Sequence, residues 1–245
     1  MKSAKNDCLV LAVKIAHGMM CSGGETYRAE ECCINVLKAC GAENISVIAM
    51  PTALMVSADV DGEHRTESVS IKSRTVDLKG IELYNSLSRK LVSGELDETQ
   101  AFAVLEQKQP PATFLPYLFG SVSAAFFSVA FGGTVADLLP AFITAIIAQL
   151  FKLYADRLSN HNFISVMGSC MITALCARLI VWLFPACSQE AIIVGGIISM
   201  LPGLAITNAV RDTINGDLLS GVSRFADALL TAIVIAAGVA IVISA

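Results

Sequence analysis

The sequence has no basic stripe, no CxxC pair and very little charge in its second half. A weakly acidic chain, net charge −4, gives no reason to expect a nucleic-acid partner. The start, MKSAKNDCLVLAVKIAHGMM, makes a poor signal peptide. Lys14 and His17 interrupt its apolar stretch, and no clean small-residue cleavage site follows. The first half is therefore expected in the cytosol, with Cys8, Cys21, Cys32, Cys33 and Cys40 as thiols. His17 and Cys21 lie four apart on one helix face, yet a histidine beside a small thiol explains them more simply than a metal does. A serine elbow, a Gly-rich phosphate loop and an HExxH motif are all missing. No enzyme, catalytic residue, metal or cofactor is expected.

What is present is apolar. Hydrophobic residues make up 55% of 245 and charged ones 16%, with a mean hydropathy of +0.66, beyond the range of an ordinary soluble domain. The two halves differ. Residues 1–110 carry 12 Lys/Arg and 15 Asp/Glu; residues 111–245 carry 5 and 6. The pattern predicts a small cytoplasmic α+β domain over 1–110 and a membrane helical bundle over 111–245.

In the first half, Leu9, Val13, Ala16 and Met20 share a helical side over residues 7–21. Ser22-Gly23-Gly24 interrupts, and a second helix runs from Glu25 to Cys40, stopped by Gly41. Glu25, Arg28 and Glu31 can pair along one side. NISVIAM, PTALMVSAD and RTESVSIKS, the last alternating over Ser68–Ser73, read as an antiparallel sheet, with Asp61-Gly62 as a turn. His64 is expected in that turn, as a solvated rather than a catalytic residue. Two helices follow. One spans Leu78–Leu91. The other is capped by Asp97 with Gln100 at the capping-box position, runs to about Lys108, and is ended by Gln109-Pro110-Pro111.

A bilayer helix needs about 20 apolar residues. Five candidates appear: about Phe114–Gly132, Val135–Tyr154, Phe163–Phe184, Ala191–Val210 and Phe225–Ser244. Basic residues fall before the first, between the second and third (Lys152, Arg157), and between the fourth and fifth (Arg211, Arg224). The loops at Gly133–Thr134 and Ala186–Glu190 have no Lys or Arg. Five crossings with a cytoplasmic N-terminus and an outer C-terminus follow from that asymmetry. A five-helix domain is small for a complete transport path and invites an oligomer or a partner subunit.

The fourth candidate is broken by Pro202-Gly203. Proline removes an amide and clashes with the carbonyl four residues back. In lipid such a break is tolerated where protein or a watery cavity meets it. A half-helix starting near Gly203 would point its positive end into the membrane and could receive a carboxylate; a kinked packing helix is the plainer reading. Thr207 and Asn208 are polar within an apolar run. Arg211, Asp212, Asp217 and Arg224 either form a gate of ion pairs or anchor the interface. Arg178, alone in an uncharged run with Trp182 four residues on, either snorkels outward or faces a cavity.

Four stretches resemble the threonine/serine exporter family, in its N-terminal, membrane-anchored component: SGGETYRAEE (22–31), MPTALMVS (50–57), the segment 73–106, and LPGLAITNAVRDTINGDLLSGVSRFADALL (201–230). The last is the most specific, and the likeness covers nearly the whole chain. Gly24 stands where the family usually has alanine, a small change by size. The second membrane module of the long members is missing, so the chain resembles the split members, which work with a small separate membrane subunit. The resemblance implies proton-driven export of threonine and serine, or of succinate as in one split pair. It places Glu25, Thr26, Arg28 and Glu30 in a cytoplasmic signature. Pro202, Gly203, Thr207, Asn208, Arg211, Asp212, Gly216, Asp217, Gly221 and Arg224 fall in a membrane-side signature. A membrane-anchored regulatory or scaffolding module without transport is the alternative.

Overall fold

The computed structural model describes residues 8–72, 74–106, 114–158 and 162–245. The Pro-rich end of the last soluble-half helix, at 109–111, lies outside them. The chain forms two compact units, Met1–Pro110 with Leu204–Phe225, and Pro111–Gly203 with Ala226–Ala245.

The first unit opens with α1 (Cys8–Cys21) and α2 (Thr26–Ala39), followed by β1 (Glu43–Met50), β2 (Ala53–Val60) and β3 (Glu63–Ser70). Then come α3 (Leu78–Val92) and α4 (Glu98–Glu106). The sheet is an antiparallel meander in the order β1-β2-β3. Pro51-Thr52 joins Met50 to its partner Ala53. Asp61 and Gly62, both at positive φ (53° and 79°), form the tight turn that pairs Val60 with Glu63. That two-residue loop starts β3 earlier than the alternation over Ser68–Ser73 suggests, and His64 sits on the strand rather than in the turn. Alternate residues Leu54, Val56 and Ala58 of β2 are buried.

The α1 helix is the centre of this core. One face was expected to be apolar, but Leu9, Leu11, Ile15, Met19 and Met20 are all fully buried. A helix this apolar belongs inside, and α2, α3, α4, β2 and β3 pack around it, leaving Lys14 exposed. Gly18 lets α3 approach, because a Cβ there would collide with the Tyr84 ring. The α1–α2 hairpin brings the start of one helix to the end of the other, where Cys8 and Cys40 form a disulfide. This corrects the expectation that both are thiols. The Glu98 carboxylate and the two sulfurs lie within 4.8 Å of one another, but the bonded sulfurs leave no thiolate ligands for a metal. The capping box forms as expected: Asp97 Oδ1 accepts from Gln100 N (2.7 Å) and Gln100 Oε1 accepts from Asp97 N (3.1 Å).

The second unit holds α5 (Leu115–Ala130), α6 (Leu138–Leu158, preceded by a 3-10 turn at Val135–Asp137), α7 (Asn162–Leu183) and α8 (Gln189–Ile197, followed by a 3-10 turn at Ile198–Met200). The chain breaks at Leu201-Pro202. It continues as α9 (Gly203–Ile214), most of which belongs to the first unit, and α10 (Leu218–Ser244). α10 begins earlier than expected because Asp217 caps it, its Oδ1 accepting from Ser220 N at 3.2 Å.

Within the second unit, small residues set the helix spacing. A Cβ on Gly195 would stand 2.5 Å from the Ala124 carbonyl, and one on Gly238 would stand 2.7 Å from that of Met167. Asp137 is fully buried and fully employed. Oδ2 accepts from Thr134 N (2.7 Å) and Oγ1 (3.1 Å), and Oδ1 from Ser188 N (2.7 Å).

Among the described residues three helices are long and apolar enough to cross a membrane: Val135–Leu158, Asn162–Leu183 and Leu218–Ser244. The broken pair Gln189–Met200 and Gly203–Ile214 counts as a fourth if it is one span. α5, at 16 residues, is short of a full crossing. Only 22%, 39% and 22% of the three best apolar windows is buried, so most of their apolar surface needs lipid or protein around it.

Candidate functional site

In the first unit the Ser22-Gly23-Gly24 turn ends α1 and starts α2. Gly23 takes φ +85°, which a side chain would resist. Gly24 packs on α1, where a Cβ would stand 2.8 Å from Met19 Cγ and 3.0 Å from the Met19 carbonyl. The family's alanine is therefore not a neutral exchange here. The turn presents two backbone carbonyls, and both are used. Asn208 Nδ2 donates to Gly23 O (2.9 Å), and Arg224 Nη2 donates to Gly24 O (2.9 Å).

Asn208, Arg211 and Asp212 share one face of α9 by their spacing of three and four. Asp212, 0% exposed, accepts from Thr26 N (3.2 Å) and Thr26 Oγ1 (3.1 Å). Its Oδ2 pairs with Arg224 Nε at 2.9 Å, and Arg224 is 5% exposed. The Thr26 hydroxyl also accepts from Arg224 Nη2 at 3.3 Å. A buried carboxylate and guanidinium thus hold each other and share the Thr26 hydroxyl. At the rim, Arg211 Nη1 reaches Glu25 Oε1 at 2.6 Å, and Arg28 Nε stands 3.6 Å from Glu25 Oε2.

These contacts set the acidities of the α2 carboxylates. Burial works to raise the Glu25 pKa, but the hydrogen bond from its own backbone, Arg211 and Arg28 outweigh it, and the net shift is downward. Glu25 in turn raises Arg28. Glu30 is raised, by burial first and then by the charges of Asp217 and Asp212, although its Oε1 accepts from Ala49 N at 2.8 Å.

The structure therefore brings Glu25, Thr26, Asn208, Arg211, Asp212 and Arg224 together. It keeps others apart. Thr207 is exposed, and Pro202 and Gly203 form the helix break, with open space where a Gly203 Cβ would project. In the second unit Arg178 Nη1 donates to Val242 O at 3.1 Å, satisfying a carbonyl in the last turn of α10. Its reach to a helix end was in neither of the two sequence readings. Between α9 and the first turns of α10 lies a cavity of about 270 Å³ lined by Ala209, Val210, Thr213, Ile214, Gly221, Val222 and Phe225, and its one polar side chain, Thr213, already donates to Ala209 O (2.8 Å). Gly23 was missed as a partner because a backbone carbonyl leaves no mark in side-chain chemistry.

His64 bonds through Nδ1 to Asp59 Oδ1 (2.6 Å) and through Nε2 to Ser57 Oγ (3.0 Å). The three side chains run in the order of a hydrolase triad. They lie on the open face of the hairpin, however, and the His64 side chain is 66% exposed. Dry surroundings are what give such an array its power, and this one is wet. The His17 ring stands 3.5 Å from Cys21 Sγ, a local contact only.

A family model described as "Putative threonine/serine exporter" matches residues 10–245. The chain belongs to this family. It is 24% identical over 240 residues to a protein of Mycobacterium tuberculosis named "Probable threonine/serine exporter". That match takes in 95% of this chain and 45% of the relative, so the chain spans about half of the mycobacterial protein's length. It is 23% identical over 247 residues to a Klebsiella aerogenes protein named "Probable succinate transporter subunit YjjP", covering 97% of this chain and 93% of the relative. No solved structure matches. Family and apolar helices together support a membrane location.

Proposed function

We propose that the chain is one subunit of a secondary-active exporter of small carboxylate-bearing metabolites, threonine and serine or a dicarboxylate such as succinate. The two curated relatives support this reading, one named for each substrate class. The word subunit in the second name favours a separate membrane partner of the same family. Proton coupling is carried over from the family resemblance. The full topology we propose has five crossings, with residues 1–110 as a cytoplasmic domain, the apolar helices of 111–245 in the membrane and the C-terminus outside. The Lys/Arg asymmetry of the loops supports it.

The observation that carries the mechanism is the latch between the α1–α2 turn and the α9–α10 hairpin. Asp212 grips Thr26 and Arg224 together, and Asn208 grips Gly23. We assign Asn208, Arg211, Asp212 and Arg224, with Glu25 and Thr26, to a gate that the cytoplasmic side controls. Pro202, Gly203 and Thr207 supply the break beside it, and Asp217 sets where α10 starts. Arg28 and Glu30 hold the α2 end. Reconstitution with the partner in liposomes tests the reading: substrate flux driven by a pH gradient and collapsed by a protonophore supports it. Binding without flux favours the regulatory module instead.

A further inference from the structure

A second polar site lies wholly in the second unit, on residues the latch does not use. A cleft of about 190 Å³ opens between α5, α6 and the 3-10 turn after α8. Tyr117, Gln149, Lys152, Asp156 and Ser199 give it polar walls, and Met200 closes one side. That volume is below the range for drug-sized ligands and suits a small metabolite.

Gln149 is the informative residue. It is an amide on an apolar helix and only 9% exposed. Such a group is costly inside a membrane bundle unless protein or water meets it. Its Nε2 donates to Ser121 Oγ (3.1 Å), and Ser121 Oγ donates to Tyr117 O (2.9 Å), which fixes the amide at the cleft. Gly120 makes room for it, since a Cβ there would stand 3.0 Å from Gln149 Oε1. One turn along α6, Lys152 Nζ and Asp156 Oδ2 pair at 2.8 Å. Both line the cleft, and their side chains are 29% and 40% exposed. An exposed pair of this kind adds little to stability, so its placement beside a buried amide calls for a different explanation.

We propose that the cleft binds a small zwitterion. The ligand's carboxylate takes the Lys152 ammonium, its ammonium takes the Asp156 carboxylate, and Gln149 and Ser199 receive a hydroxyl. The ligand replaces a contact that the two side chains otherwise make with each other. A dicarboxylate would bring its second negative charge against Asp156, and like charges at that distance select against it. The inference rests on the exporter reading and narrows it by charge pattern.

The test is equilibrium binding of labelled serine and labelled succinate to the purified full chain in nanodiscs. Serine binds more tightly to the wild type. Lys152→Gln and Asp156→Asn each weaken serine by about tenfold or more, the scale of one charge-assisted hydrogen bond. Asp156→Asn also strengthens succinate, reversing or closing the gap. Ser199→Phe, which fills the cleft without touching the charges, abolishes serine binding and covers the case in which a charge variant fails to fold. Wild-type protein that binds no serine overturns the proposal, as does serine affinity unchanged across these variants. The exporter reading fails separately: absence of flux of either compound in liposomes with the partner removes it, even where the cleft binds serine.

Discussion

Asp212 on α9 and Arg224 on α10 form an ion pair at 2.9 Å with almost no solvent around it. Burying two charges is expensive, and the attraction offsets that cost only when the remaining donors and acceptors are filled. Here Thr26 donates twice to Asp212, and the Thr26 hydroxyl and the Gly24 carbonyl accept from Arg224 Nη2, while the buried Arg224 Nε has only the ion-pair contact and no hydrogen bond. Removing one partner strands the other.

Asp212→Ala or Arg224→Ala is expected to destabilise the protein by about 3–5 kcal/mol, the usual result of leaving one buried charge alone. The double variant Asp212→Leu with Arg224→Met should lose clearly less than the sum of the singles. Unfolding in detergent, followed by denaturant titration, measures all of them. Additive losses would mean that the pair is not coupled.

Asn208→Ala removes one hydrogen bond to Gly23 and is expected to cost about 1 kcal/mol of stability. A residue in the gate affects transport more than folding. Flux should fall severalfold at normal membrane abundance, read by quantitative blotting beside a vesicle assay. Unchanged flux takes Asn208 out of the gate.

Gly24→Ala restores the residue usual in the family, yet it should destabilise this chain by about 1–3 kcal/mol through overpacking against Met19. Met19→Ala is itself costly because Met19 is fully buried, but the double variant should lose less than the sum of the two singles. Thermal unfolding of the single and double variants checks both statements.

Glu25 and Glu30 give opposite pH signatures. Glu25 has a folded pKa below its ordinary value of 4.5, so its stabilisation is present above that value and is lost as pH falls below it. Glu30 has a raised folded pKa. Its contribution is present below 4.5 and is lost as pH rises through the folded value. The stability difference between wild type and Glu25→Gln should shrink on acidification, whereas wild type should lose ground to Glu30→Gln as pH rises. Urea midpoints across a pH series read both slopes.

Cys33, fully buried, has its thiol pushed up to about 12 by burial and should resist alkylation at neutral pH in the folded state. The Cys8–Cys40 bond closes a separation of 32 residues, and its reduction should cost about 3–4 kcal/mol on the loop-entropy model. Peptide mapping after alkylation with and without reductant tests the two together.

Local chemistry was legible. The Asp97–Gln100 box, the Asp61-Gly62 hairpin turn and the Pro202 break all follow from residues whose backbone preferences are strong and near in sequence. Polar residues at 207–224 stood out for the same reason, against an apolar background. What could not be read was pairing at long range. Thr26 and Asp212 are 186 positions apart, and nothing in either segment names the other. The helical side of α1 was misjudged because periodicity finds one apolar face, whereas Leu11, Ile15 and Met19 complete a second. The start of α10 was placed late, at about Phe225; Arg224 lies inside the helix, its charge paired with Asp212. Gln149 carried a usable signal, a lone amide in the apolar run 135–154, and it marks the cleft.

The burial of α1 has a consequence for biosynthesis. The helix is translated before every element that encloses it, and its last neighbour in the core, Phe102 of α4, lies about 80 residues downstream. At roughly 5–20 residues per second, this apolar segment waits on the order of 4–16 s for its shelter. A nascent chain of this protein therefore carries an unprotected greasy rod early in synthesis, and cells depleted of ribosome-associated chaperones should accumulate it in aggregates before any membrane helix has emerged.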